Sequence, residues 1–225
     1  MRVVTRSEWG ATAPTGPPMR LPVAELWLHH SVTQLTDDPH KDMKVIERIG
    51  VQRFGRFSYS WAYHARARVL LEGAGNTVGA HTAGRNSTSL GLVLIGNFEE
   101  LDLTDDNVAD LRWSIAWLIA GNRLKAGTYP TGGHRDLKQT ACPGGRAYAR
   151  IDDIRRQVSP QVSPPEDDVK NYTVLIIKDK GFHVLTPVGT RIWIPTIEDV
   201  GAWLDAGAGK VEITERQLNV IPEAA

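Results

Sequence analysis

The sequence predicts an α/β fold, a mixed central β-sheet flanked by helices, followed by a small α+β module at the C-terminus. Three observations carry this. Apolar runs of strand length at residues 25–32 and 90–95 alternate with segments whose apolar residues recur at helical spacing. Such alternation favours helices packed on a sheet. The third observation is a break: residues 159–168 hold three prolines followed by three acids, the composition of an extended, solvated linker. The domain plan is therefore residues 1–158, a linker at 159–168, and a module at 169–225.

Residues 25–32 (Glu-Leu-Trp-Leu-His-His-Ser-Val) read as a buried strand ending in polar groups. Residues 42–54 have helical spacing through Met43, Ile46, Ile49 and Phe54. Residues 90–95 are a core strand closed by Gly96 and Asn97. Thr104 suits an N-cap, with Asp105 and Asp106 in the first turn, where the helix dipole favours acids. Val108, Leu111, Ile115, Leu118 and Ile119 then form an apolar face that ends near Gly121. A last helix is expected over 146–158. In the C-terminal module, 172–177, 182–186, 191–194 and 210–214 read as short strands and 197–206 as a helix.

Composition narrows the function. Of 225 residues, 41% are hydrophobic and 23% charged, a globular balance, and no stretch is apolar enough to span a bilayer, so no membrane insertion is expected. Net charge is zero; residues 1–158 carry 20 basic and 16 acidic side chains, and residues 159–225 carry 6 and 10. Neither part shows the basic cluster with interleaved aromatics of a nucleic-acid binder. The first residues lack an apolar core of signal-peptide length, so synthesis in a cytoplasm is expected.

Cys142 is the only cysteine and lies eight residues after His134, in a polar loop bounded by glycine and proline. It has no intramolecular disulfide partner, which leaves packing, reactivity or metal ligation as its role. A second source of imidazole, His29-His30, ends the strand-like run about a hundred residues upstream. Two imidazoles and a thiolate leave the fourth position of zinc open, as catalytic sites do, whereas a closed structural site needs a fourth protein ligand. Spacing alone leaves ligation and a buried thiol equally open.

Six blocks extend this picture. They are Arg6-Ser7-Glu8-Trp9-Gly10-Ala11, Leu28-His29-His30-Ser31, Glu72-Gly73, the run 78–86 (Val-Gly-Ala-His-Thr-Ala-Gly-Arg-Asn), the run 89–98 (Ser-Leu-Gly-Leu-Val-Leu-Ile-Gly-Asn-Phe), and Gly133-His134-Arg135-Asp136 continuing to Thr140-Ala141-Cys142-Pro143-Gly144. In this order they resemble the zinc amidase family shared by phage endolysins and peptidoglycan recognition proteins, the N-acetylmuramoyl-L-alanine amidases. The resemblance implies that His29, His134 and Cys142 bind Zn²⁺, with a substrate groove crossing the metal. It favours His29 over His30, and strand alternation lets only one of the two face the metal. His81 is placed in the groove or beside the ligands, with a purely structural role as the alternative. Asn86 would hydrogen-bond glycan or peptide, or else shape the loop beside Gly84. His40 and His183 have no motif context and read as surface residues.

The family carries a catalytic tyrosine in an Asp-Ile-Gly-Tyr-like run. This chain departs from it with Phe57-Ser58-Tyr59-Ser60-Trp61-Ala62-Tyr63-His64. Tyr59 is assigned the role, with Tyr63 as the alternative. Thr140 stands where some members have a lysine; its hydroxyl can hydrogen-bond an oxyanion but cannot neutralise it. The resemblance thus implies hydrolysis of the amide between N-acetylmuramic acid and L-alanine in bacterial peptidoglycan. The expected setting is a phage or prophage endolysin made in the host cytoplasm, reaching the wall after a separate holin opens the membrane; a bacterial recycling amidase is the alternative setting. The rival is a non-catalytic peptidoglycan-binding protein. In the C-terminal module, Phe182, Trp193 and Trp203 either stack on sugars, which makes the module a candidate for wall binding, or simply fill its small core.

Overall fold

The computed structural model describes residues 1–127 and 129–155 together with the backbone of four strands between 173 and 213. The chain divides into two units, Met1–Gln157 and Val158–Ala225. The first unit runs β1 (Arg2–Val4), β2 (Glu25–His30), α1 (Pro39–Phe54), β3 (Trp61–His64), β4 (Val69–Glu72), β5 (Ser89–Leu94), α2 (Asp105–Ala120), β6 (Gly132–Gly133), a 3-10 turn at His134–Asp136, α3 (Gly145–Ala149) and α4 (Ile151–Arg155). Its six strands form one mixed sheet in the order β1-β4-β3-β5-β2-β6. Only β3 and β4 pair antiparallel; the remaining neighbours are parallel. The fold class is the predicted one.

Strand alternation divides the buried side chains between the two faces of the sheet. Leu26 and Leu28 of β2, Trp61 and Tyr63 of β3, and Leu90, Leu92 and Leu94 of β5 pack with Val108, Leu111, Ile115 and Leu118 of α2. The opposite face gathers Val4, Ala62, Leu71 and Val93 with Trp9, Phe57, and Met43 and Ile46 of α1. Because β2 and β5 are interior strands, both of their faces are buried, which explains their nearly continuous apolar runs.

Helix ends follow local chemistry. Asp38 caps α1 by accepting from the backbone N–H groups of His40 and Lys41, both at 3.0 Å, and Pro39 enters the first turn. The helix stops where Gly55 turns left-handed at φ 69°. It therefore begins three residues before the predicted 42–54, because the sequence reading overlooked Asp38-Pro39 as a start signal. Phe54, expected on its apolar face, is half exposed at the last turn. Thr104 caps α2 as predicted, in a reciprocal box with Asn107.

The single helix expected over 146–158 is instead two short ones. The chain breaks at Arg150 (φ −95°, ψ 0°), whose guanidinium is held by Asp105 and Asp153 and by the carbonyl oxygen of Leu103. Those contacts fix the corner where α3 gives way to α4. Residues 156–158 lie outside the described residues.

In the second unit β7 (Thr173–Ile177), β8 (Gly181–Leu185), β9 (Arg191–Ile194) and β10 (Gly209–Ile213) form a sheet in the order β10-β7-β8-β9. β10 lies parallel to β7, and the other pairs are antiparallel. The linker at 159–168, the helix expected at 197–206 and the side chains of Phe182, Trp193 and Trp203 lie outside the described residues.

Candidate metal centre

The sheet register builds the site. β6 pairs with β2 so that Leu28 lies opposite Gly133, which brings His134, the next residue, beside His29. Their ring centroids are 4.6 Å apart. A Cβ at Gly133 would lie 2.6 Å from Cδ of Pro143, so glycine lets the Cys142-Pro143 segment close over the strand. That segment is tied down by Arg135, whose N–H donates to the Cys142 carbonyl at 2.8 Å and whose guanidinium lies over the Tyr148 ring. Asp136 accepts from the Gly133 N–H at 2.9 Å and from the Tyr148 hydroxyl at 2.5 Å.

One donor atom each from His29, His134 and Cys142 then lie within 4.8 Å of one another. His29 is buried, and the other two are half-buried. Nδ1 of His29 is 3.6 Å from Sγ of Cys142, and Sγ also accepts from the His30 N–H at 3.4 Å. Nε2 of His134 is buried with no hydrogen-bond partner. Burial holds His29 well below the usual imidazole range, with His81, His134 and His30 adding like-charge opposition. His134 is lowered by burial and then by Lys138. The Cys142 thiol is pushed up to about 11, chiefly by burial. Two imidazoles that burial keeps neutral and a half-buried thiol, with donor atoms within 4.8 Å of one another, form a donor set that zinc fits. Cys142 would serve such an ion as its thiolate.

The neighbouring residues divide by face. His30 points away from the donor set, and its Nδ1 accepts from the Phe98 N–H at 3.1 Å. The ring of Tyr59 is 5.2 Å from that of His29, and its hydroxyl is held above the ordinary tyrosine range first by burial and then by Cys142. Tyr63 sits on the α2 face of β3 and donates to Asp110 at 2.9 Å. The structure thus brings Tyr59 to the donor set and gives Tyr63 to the core. Thr140 is exposed, and its Oγ1 accepts from the Cys142 N–H at 3.3 Å. Asn86 accepts from the Thr82 N–H at 2.8 Å, which fixes the turn after His81. Both ring nitrogens of His81 are engaged, one with His29 and one with the Ser89 carbonyl.

No family model matches the chain. A peptidoglycan recognition protein of Trichoplusia ni is 30% identical over 156 residues, covering 66% of this chain and 85% of that protein. Peptidoglycan-recognition protein LB of Drosophila melanogaster is 30% identical over 160 residues, 67% of each. The N-acetylmuramoyl-L-alanine amidase of Homo sapiens is 31% identical over 155 residues, 64% of this chain but 26% of that protein. The chain belongs to the peptidoglycan-recognition protein and amidase family. The solved structure of wild-type Drosophila PGRP-LB superposes with a TM-score of 0.61 at 25% identity, covering 68% of this chain and 94% of that one. PGRP-LE, solved in complex with tracheal cytotoxin, a monomeric diaminopimelic acid-type peptidoglycan, gives 0.60 at 25% identity over 67% and 92%.

Within this family fold, the sequence reading missed the part played by the backbone of β5. Gly91 lies directly beneath the His81 ring, where a Cβ would stand 2.5 Å from Cγ of that histidine. A glycine inside an apolar strand was the available signal, since it marks close approach by another group. The buried network of Tyr63, Asp110 and Asn107, closed from the surface by Arg68, was also missed, and it left no local signal.

Proposed function

We propose that the protein is a zinc-dependent N-acetylmuramoyl-L-alanine amidase that cleaves the bond between the lactyl group of N-acetylmuramic acid and L-alanine. Membership of the family supports peptidoglycan as the ligand, through recognition or through amide cleavage. One observation carries catalysis over recognition: a complete set of three donors converges, with a buried Nε2 of His134 left unpartnered. Zinc held by His29, His134 and Cys142 would supply Lewis acidity, which activates water and polarises an amide carbonyl.

The protein's own residues prepare the rest. Tyr59 stays protonated beside His29, so its hydroxyl can donate a hydrogen bond to the oxygen that becomes anionic. Thr140 offers a second, weaker donor at the exposed mouth of the site. The orientation of His29 comes from β2, and that of His134 and Cys142 from β6 and the loop closed over Gly133. Ligands placed before substrate arrives lower the cost of organising the reaction.

The test is digestion of purified peptidoglycan followed by mass spectrometry of the fragments. The expected result is new L-alanine amino termini, lost after chelation and restored by Zn²⁺. Cleavage undiminished after complete metal removal overturns the zinc reading. Muropeptide binding without new amino termini would make the protein a receptor instead. The endolysin setting extends the same proposal, since an appended second unit suits a lysin that anchors on its substrate. Wall pelleting unchanged by deletion of residues 166–225 would remove that anchoring role.

A further inference from the structure

The His81 ring is an interior group although it borders the site: it is 6% exposed. Its Nε2 lies 3.3 Å from the carbonyl oxygen of Ser89, and its Nδ1 lies 3.3 Å from Nε2 of His29. A carbonyl oxygen only accepts, so the Nε2 of His81 must carry a proton. An uncharged imidazole carries a single ring proton, and above the ordinary imidazole value of about 6.5 the ring is uncharged. The neutral ring therefore has a lone pair on Nδ1, and His29 must donate to it from Nε2. That leaves the His29 lone pair on Nδ1, the nitrogen that lies 3.6 Å from Sγ of Cys142.

We propose that His81 is a positioning residue, which fixes His29 in the Nε2–H tautomer and so presents the Nδ1 lone pair to Cys142 and His134. This rests on the zinc reading for its consequence, but the tautomer itself is a property of the metal-free protein. The hydrogen bonds run in one direction, from the Cys142 thiol to Nδ1 of His29, from Nε2 of His29 to Nδ1 of His81, and from Nε2 of His81 to Ser89. Two features hold the ring in place. Gly91 leaves open the sheet surface that a Cβ would occupy, and Asn86 secures the turn that follows His81. Both ring nitrogens of His81 are thus engaged within the protein, one on a ligand and one on the sheet. A histidine ligand anchored through its second nitrogen is a common device at zinc sites, and losing the anchor weakens metal affinity about 10–100-fold.

The test uses the full chain, with ¹⁵N-labelled histidine spectra of the metal-free protein to read tautomers and chelator competition to read zinc affinity. The parent protein is expected to show His29 protonated at Nε2. His81→Leu should mix the His29 tautomers and weaken zinc binding about 10–100-fold. His81→Gln keeps an acceptor for His29 and a donor for Ser89, and should recover most of that loss. Gly91→Ala, which keeps the imidazole but displaces it, should resemble His81→Leu. A parent spectrum with His29 protonated at Nδ1 overturns the proposal even if His81→Leu fails to fold. So does a folded His81→Leu protein with parental tautomer and affinity. Absence of zinc binding by the parent would sink the zinc reading instead, leaving the tautomer to be decided by the spectrum.

Discussion

Two buried polar clusters lie on opposite faces of the same sheet, and they are built to opposite rules. On the α2 face, Tyr63 donates to Asp110 and accepts from Asn107, while Arg68 grips both oxygens of Asp110 at 2.7 and 2.9 Å. Donors meet acceptors and a carboxylate meets a guanidinium. On the α1 face, two imidazoles and a thiol meet with no counter-charge, and one nitrogen is left without a partner. The first cluster is closed and stabilises the fold. The second gathers metal-ligating side chains around an unpartnered nitrogen, and such a deficiency in a buried place is the better indicator of function.

The contrast can be broken from either side, and Cys142→Ser should give the largest effect. It should lower wall hydrolysis about 10³-fold or more, the several kcal/mol expected of metal polarisation, and abolish tight zinc binding. The unfolding midpoint of the metal-free protein should hardly move; a large shift would place Cys142 in the core-forming class. Tyr59→Phe should cost about 10²-fold in turnover with stability unchanged, the usual cost of losing one oxyanion donor. Full activity of that variant would remove Tyr59 from the reaction.

Asp110→Ala should do the reverse, lowering stability while turnover per folded molecule stays at the parental value. We expect about 2 kcal/mol by urea titration, less than for a fully buried pair, because Arg68 is half exposed and can turn to water. His29, His30, His64, His81 and His134 are all held below the ordinary imidazole value, each chiefly by burial. The unfolded chain then binds protons first as pH falls, so the metal-free protein should lose stability below about pH 6.5 and keep it above. Each histidine adds at most about 1.4 kcal/mol per pH unit. A urea midpoint constant between pH 7.5 and 5.5 would show that these rings are solvated. Smallest is Tyr63→Phe, about 1 kcal/mol in stability and nothing in catalysis.

The two clusters also differ in how far the sequence disclosed them. The grouping of His29, His134 and Cys142 was legible through contiguous motifs that resemble the family's, since spacing alone left the thiol's role open. The cap at Thr104 and the strand at 90–95 were legible because caps and apolar runs are local. The partnership of Tyr63 and Asp110 spans 47 residues and depends on α2 crossing β3, which no window of sequence contains. The corner at Arg150 was hidden for the same reason, since its partners Leu103 and Asp105 come from the start of α2. His81 was visible as a histidine in a motif, but its role depends on which way the ring faces over Gly91, and that is set by the sheet.

β6 is two residues long, yet its pairing sets His134 alongside β2 and gives the loop of Cys142 a strand to close over. During synthesis His29 emerges early and waits for a strand made more than a hundred residues later. Any nascent chain cut short before Gly132 could complete much of the sheet and still lack His134 and Cys142 of the donor set. A wall-degrading protein with this layout would be born inert, and would acquire its chemistry only as the last part of its first unit is made.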